Sequence, residues 1–355
     1  MSDIVPASLV ANAPRHDLDK QKLHSWMQEH IAGFSGVIEV HQFAGGQSNP
    51  TFLVRADERR YVLRRKPPGK LLPSAHAVER EFRILTALKH TQVPVARAFA
   101  LCEDPEVIGS AFYVMEYIDG RIFWDAALPD AAPPERAPIY MEMVRVLALL
   151  HSVDYNAVGL ASFGKSGSYV ERQVALWTRQ YRAAETDKIE SLERLIEWLP
   201  QHVPADETSC IVHGDFRLDN TIYHPSQTRI LAVLDWELST IGHPLVDFAF
   251  FCLRFHLPRA EFQGLRDLDT RQLAIPSEAE CVAAYCALRR IRPVSQRDWT
   301  YYIVFCMFRL ACILQGVLAR ALQGNASSAN ALNAGRRARP LAQLGWRLVQ
   351  ESLEN

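Results

Sequence analysis

The hydrophobic pattern of this 355-residue chain changes its period once, near Gly120. Before that point, short runs alternate apolar and polar residues, the signature of half-buried strands. From Tyr140 onward, apolar residues recur at helical spacing, broken only by short strand-like runs around residues 211–235. Strands first and helices afterwards predict an α+β chain with two unequal lobes. The early runs are residues 37–43, 51–57 and 61–66. G-G-Q-S-N-P and a polar turn at Asp57–Arg60 join them, so they predict a meander. A helix over 75–89 sets Val78, Phe82, Leu85 and Leu88 on one stripe. Strands over 95–102 and 111–117 complete the sheet. We expect a sheet-based first lobe over residues 1–117, led by an arm, and a helical second lobe over 118–355. The stretch Gly324–Gly335, rich in Asn, Ala and Ser, reads as a loop.

Composition excludes several classes. Net charge is −1, so nothing global favours nucleic acid or an anionic membrane surface. Seven cysteines lie scattered without C-x-x-C pairs, which predicts buried thiols and a reducing, cytoplasmic setting. The N-terminus lacks the basic and apolar regions of a signal peptide. The most apolar stretch, Trp299–Leu322, carries Arg309 near its middle and Gln315 after it. A buried helix accommodates that charge better than a membrane span does. Nothing in the pattern specifies an oligomeric state.

The chemistry concentrates between Ile211 and Asp235. His213, Asp215 and Asn220 have the H-x-D-x-x-x-x-N spacing of a phosphoryl-transfer loop, and a short apolar run then delivers Asp235. Transfer from ATP needs such a set. One carboxylate, Asp215, takes the proton of the attacking hydroxyl. An amide oxygen at Asn220 and a second carboxylate at Asp235 hold Mg2+. Upstream, Arg64 in the Y-V-L-R strand is a candidate cation for the α- and β-phosphates, with Lys66 of the same parity behind it. Glu81 shares the apolar stripe of the following helix and is expected to orient that cation, while Glu79 points toward solvent. Gly45, Gly46, Ser48 and Asn49 form a turn whose backbone N–H groups could approach phosphate. Backbone groups near Met115 and Tyr117 are candidates for holding adenine. Asp247 is read as a brace for the catalytic loop, and His151 and His243 as structural.

A competing motif is present. Gly159–Ser166 matches G-x-x-x-x-G-K-[ST], with Lys165 as the P-loop lysine of an NTPase. A P-loop requires a buried strand leading into the glycine turn. The lead-in here is a helix end and a polar loop, so the match reads as coincidence. A non-catalytic nucleotide-binding module is the other alternative, because arginine stands where lysine is usual.

The chain resembles the aminoglycoside phosphotransferase and choline kinase-like superfamily over about residues 30–345. Within it, G-G-Q-S-N-P-T-F, Y-V-L-R-R-K-P-P-G-K-L-L-P-S-A-H and H-G-D-F-R-L-D-N resemble the branch that includes the phosphotransferase domain fused to some animal acyl-CoA dehydrogenases. The resemblance implies a protein-kinase-like two-lobe fold, with a small antiparallel-sheet N-lobe and a larger helical C-lobe. It implies MgATP, transfer to a small-molecule hydroxyl, and 4-hydroxy acids on coenzyme A as acceptors in this branch. Asp235-Trp236-Glu237 stands where D-F-G is usual, Gly214 replaces the arginine of H-R-D, and no A-P-E segment follows. No room remains for a long activation loop, which argues against a protein kinase. Residues 277–355 hold ten arginines, no lysine and five acids, which suits an anionic acyl-CoA better than a polycationic aminoglycoside. Arg336, Arg337 and Arg339 are the expected source of that attraction.

Overall fold

The computed structural model describes residues 18–43, 49–67, 77–324 and 330–354. The chain forms two compact units. The first runs to Arg121 and takes in Ile222–Pro225 and Leu231–Glu237; the second holds the rest.

The first unit is built on an antiparallel sheet of order β1-β2-β3-β5-β4. Its strands are β1 (Ile38–Gln42), β2 (Thr51–Ala56), β3 (Arg59–Arg65), β4 (Ala98–Cys102) and β5 (Phe112–Glu116). Helices α1 (Lys20–His30), α2 (Val78–Leu88) and α3 (Pro105–Ile108) accompany them. Alternation along β3 decides the layout. Tyr61, Leu63 and Arg65 turn to one face, and Val62 and Arg64 to the other. The first face packs on Trp26, Phe34, Phe52, Phe112 and Val114, where each fully buried side chain contributes roughly 1.5–3 kcal/mol. Arg65 sits among them because its guanidinium donates to the Ile108 carbonyl at 2.9 Å. The opposite face receives α2, whose Val78, Glu81, Ile84, Leu85 and Leu88 are buried at helical spacing. The returning segments are fixed within the unit by backbone bridges Arg121–Tyr223 and Val95–Val233.

The second unit is helical. It contains α4 (Pro133–Ser152), α5 (Tyr169–Ala183), α6 (Glu190–Trp198), α7 (Pro244–Cys252), α8 (Arg259–Phe262), α9 (Glu278–Arg289), α10 (Gln296–Leu322), α11 (Ala331–Gly335) and α12 (Ala338–Glu354). Short strands β6 (Cys210–Val212) and β9 (Thr240–Gly242) pair antiparallel and flank the segment that carries His213, Asp215 and Asn220. Strands β7 (Thr221–Tyr223) and β8 (Ile230–Val233) form a further ladder, most of it in the returning segments of the first unit. Helix α10 is long and apolar enough to cross a membrane by length and composition, yet most of it is buried in the unit. Ser295 caps its start by accepting from the Asp298 N–H at 3.1 Å. The stretch read as a loop after Gly324 contains α11 instead. Its alanines favour helix, and Gly335 lets it lie against Leu318, where a Cβ would come within 2.6 Å.

Candidate active site

Within the first unit, the β3–α2 packing brings one guanidinium among three carboxylates. Arg64 Nε lies 3.1 Å from Glu81 Oε2, and its Nη2 lies 2.5 Å from Asp235 Oδ1 and 3.6 Å from Glu237 Oε2. Burial alone would weaken the charge on Arg64, but Glu81 and Asp235 outweigh it and hold the guanidinium protonated above its ordinary range. Glu81 is 1 % exposed. Burial, aided by repulsion from Asp235 and Glu237, pushes its proton affinity up to about 7 against the pull of Arg64. Glu81 is also fixed sideways. Asn49 Nδ2 donates to its Oε1 at 2.8 Å, and the Tyr113 hydroxyl donates to its Oε2 at 3.0 Å. Tyr113 faces Arg64 directly across the β3–β5 ladder, which explains how it reaches the pair. Glu79 instead pairs with Lys66 at the partly exposed edge.

Three acids around one arginine leave a local excess of negative charge, which suits a divalent cation. Asp235 reaches this cluster from the end of β8 in a left-handed backbone conformation, φ 62°. Such a conformation costs of order 1 kcal/mol or more for a residue with a Cβ and is retained where the surroundings enforce it. No group of three or more His, Cys, Asp or Glu side chains arranged for a metal occurs among the described residues. Magnesium bound through one or two protein oxygens and the phosphates of a nucleotide needs no such cage.

Within the second unit, the catalytic segment hangs from Asp247 at the first turn of α7. Asp247 Oδ2 accepts from the His213 N–H at 2.6 Å, and Oδ1 accepts from the Gly214 N–H at 2.8 Å. Burial works against its charge, but these donors and His151 hold it below the usual carboxylate range. His151 Nε2 is 3.2 Å from Asp247 Oδ2, and its Nδ1 is 2.6 Å from the Tyr285 hydroxyl. Burial lowers the proton affinity of His151, so the neutral ring donates to Asp247 and accepts from Tyr285. His243 is likewise buried, and its Nδ1 accepts from the Leu245 N–H at 3.2 Å at the start of α7.

Asp215 follows on this frame. Its backbone N–H donates to His213 Nδ1 at 3.2 Å. Asn220 Nδ2 donates to its carbonyl at 2.8 Å and to its Oδ2 at 3.1 Å. That leaves the Asn220 amide oxygen as the group able to meet a metal. Arg217 Nε lies 3.3 Å from Asp215 Oδ1, and Arg217 Nη2 lies 3.2 Å from Asp219 Oδ2. Gly214 shows why arginine is absent before Asp215. Its φ is +85°, and a Cβ there would meet the Leu238 carbonyl oxygen at 2.8 Å. Gly214→Ala is therefore expected to destabilise the fold by about 2 kcal/mol or more. A lowered urea midpoint with an unchanged slope would show it; an unchanged midpoint would contradict the strain.

A cavity of about 300 Å³ opens in the second unit with Asp215 in its wall. Its surface is mostly apolar, supplied by Trp124, Tyr140, Leu238, Phe250, Phe251 and Ile313. Three arginines line it, Arg217, Arg254 and Arg309, against two aspartates, Asp215 and Asp219.

His213, grouped with Asp215 as catalytic, is fully buried, and its Nδ1 accepts from the Asp215 N–H at 3.2 Å. Asn49 turns its side chain in onto Glu81. Gly45, Gly46 and Ser48 lie outside the described residues. Met115, one residue before the end of β5, is buried opposite Val62, and Tyr117 lies under the Arg60 guanidinium at 4.3 Å. Arg336, Arg337 and Arg339 do not line the cavity; Arg339 pairs with Asp187 at 3.6 Å. Around Lys165 the chain forms turns, with no strand before Gly159 and no helix until Tyr169. Its backbone carbonyl accepts from Arg172. Sequence reasoning missed Glu237, Tyr113 and the cavity arginines. Arg309 did leave a signal, a lone charge in an apolar helix.

The phosphotransferase enzyme family profile matches residues 39–281. The chain belongs to this family. It is 50 % identical over 314 residues to acyl-CoA dehydrogenase family member 10 of Mus musculus, covering 88 % of this chain and 29 % of that protein. It is 40 % identical over 344 residues to family member 11 of Homo sapiens, covering 96 % of this chain and 44 % of that protein. The chain thus spans less than half the length of these relatives. A Ralstonia eutropha crystal structure, provisionally named an aminoglycoside phosphotransferase, superposes with a TM-score of 0.87 at 48 % identity, covering 94 % of this chain and 99 % of that one. Choline kinase from Cryptosporidium parvum shares the fold, with a TM-score of 0.60 at 15 % identity, covering 95 % of this chain and 97 % of that one. The fold of this phosphotransferase family member is therefore kinase-like and two-lobed α+β.

Proposed function

We propose that this chain is an ATP-dependent small-molecule O-phosphotransferase. Its acceptor is a hydroxyl on an apolar, anion-bearing molecule, with a hydroxyacyl-CoA the leading case. The observation that carries the reading is the cavity. Asp215 stands in an apolar wall where arginines outnumber acids, a setting for an acyl chain with an oxyanion or carbonyl nearby. A polycationic aminoglycoside would meet the wrong sign of charge. The names of the relatives as acyl-CoA dehydrogenase family members support the same acceptor class. The seven cysteines, all free and buried, support a reducing compartment such as the cytoplasm.

In this reading Asp215 takes the hydroxyl proton as the acceptor oxygen bonds to the γ-phosphorus. The bond from that phosphorus to the bridging oxygen breaks, and ADP leaves. Arg64, oriented by Glu81, steadies the α- and β-phosphates. Asn220 and Asp235 would hold Mg2+, which would neutralise phosphate charge. Glu237 adds a carboxylate to that side of the site.

A screen of hydroxyacyl-CoAs, amino alcohols, sugars and aminoglycosides with γ-labelled ATP tests the acceptor class. Hydroxyacyl-CoA is expected to be phosphorylated faster than any aminoglycoside, with a KM that rises with salt. Kanamycin turnover with no acyl-CoA turnover would overturn this assignment. Lys165→Ala is expected to leave transfer unchanged, because Lys165 sits in a turn and not on a nucleotide-binding strand. Loss of activity in that variant would revive the P-loop reading.

A further inference from the structure

Arg309 is the least explained charge among the described residues. It lies midway along the apolar helix α10 and is 7 % exposed. No carboxylate forms an ion pair with it among the described residues. Its Nη2 donates to the Gly214 carbonyl at 3.0 Å, directly before Asp215. Its guanidinium lies 5.6 Å from the ring centroids of both Trp177 and Phe250. Its Nε has no acceptor among the described residues. A buried cation with one neutral acceptor and two aromatic neighbours is costly to keep. The other cavity arginines are placed differently. Arg217 is paired with Asp215 and Asp219, and Arg254 is only half-buried, donating to the Phe262 carbonyl at 2.8 Å.

Arg309 lines the same cavity as Asp215. A planar guanidinium held by aromatic neighbours and one carbonyl has its remaining donors fixed in direction. Oxygen acceptors are what such donors bind best. We propose that Arg309 is an acceptor-recognition residue: its guanidinium takes a carbonyl or carboxylate oxygen of the molecule whose hydroxyl is presented to Asp215. The assignment rests on the phosphotransferase reading for the hydroxyl, but the oxygen contact itself requires no chemistry. It makes the enzyme select acceptors in which hydroxyl and carbonyl lie a few bonds apart. A site built to hydrogen-bond an oxygen rejects the analogue lacking it far more strongly than an apolar pocket rejects a size change.

The test uses a matched pair of acceptors, a short hydroxyacyl-CoA and the hydroxyalkyl-CoA thioether from which only the carbonyl oxygen is missing. Wild type should show a KM at least about tenfold lower for the acyl compound. Arg309→Met should abolish that preference by raising the acyl KM at least about tenfold relative to the thioether KM, with the KM for ATP unchanged and any loss of kcat from freeing the Gly214 carbonyl common to both acceptors. Equal losses on both acceptors, carried by kcat, would mean that Arg309 only holds Gly214, and would overturn the proposal. A second arm omits ATP and measures binding of the acyl-CoA and alkyl-CoA thioether without hydroxyl groups by calorimetry. The same preference, lost in Arg309→Met, is expected there. If no acceptor is ever phosphorylated but this preference appears, the phosphotransferase reading fails and the recognition role stands. If transfer occurs and no preference exists in wild type, the recognition role fails alone; absence of preference in both arms overturns it outright. Should Arg309→Met not fold, Arg309→Lys keeps the charge and loses the fork, and is expected to reduce the preference several-fold. A full preference in that lysine variant would contradict the proposal.

Discussion

Asp215→Asn is expected to lower phosphoryl transfer at least about 10²-fold, the scale of general-base catalysis, while MgATP still binds. The substitution is nearly isosteric, and the frame beneath it is independent of the carboxylate. Asp247 holds the His213 and Gly214 N–H groups, and the Asp215 N–H meets His213. Asn220 keeps its bond to the Asp215 carbonyl at 2.8 Å. What is lost is the proton acceptor in the cavity wall. Pre-steady-state transfer and nucleotide calorimetry together separate the two effects. Wild-type turnover by the variant on a good acceptor would remove Asp215 from the chemistry.

Asp235→Ala is expected to lose MgATP affinity and activity together, by about 10²-fold or more in kcat/KM, because the proposed metal ligand is removed. The fold should tolerate it. Arg64 keeps Glu81 at 3.1 Å and Glu237 at 3.6 Å, so no buried cation is orphaned. The variant also relieves crowding among three carboxylates, while the φ of 62° stays strained for alanine. These effects oppose each other, so a melting temperature within a few degrees of wild type is expected. Unchanged nucleotide affinity in the presence of magnesium would exclude Asp235 as a ligand. Unfolding of the variant would mean that Asp235 is needed to neutralise Arg64.

Much of this was legible in the sequence because it is local. Period-two alternation placed Arg64 opposite the core face of β3, and helical spacing selected Glu81 over Glu79. Both follow from geometry that a few residues determine. Burial of Trp299–Leu322 was legible because a charge in an apolar run argues against lipid. The contacts that were not legible join residues far apart in the chain. Arg309 meets Gly214 across 95 positions, and Tyr113 meets Glu81 across 32. Glu237 looked like part of a replaced motif and not like a third acid on Arg64. The burial of His213 was not legible for a related reason. Its spacing to Asp215 is local, but its complete burial depends on α7 packing from beyond the loop. The arginine surplus of the C-terminal segment pointed to Arg336, Arg337 and Arg339, none of which lines the cavity. Only Arg309 of that segment lines the cavity, and its partners there come from other segments, Arg217 and Arg254.

The central claim is transfer of the ATP γ-phosphate to an acceptor hydroxyl with Asp215 as the base. Phosphorus NMR of wild type and Asp215→Asn, each with MgATP and a hydroxyacyl-CoA, tests it most directly. Wild type is expected to show a new phosphate-monoester resonance growing in step with ADP, and the variant neither signal above background. ADP and inorganic phosphate released without any monoester, or monoester formed equally by the variant, would contradict it.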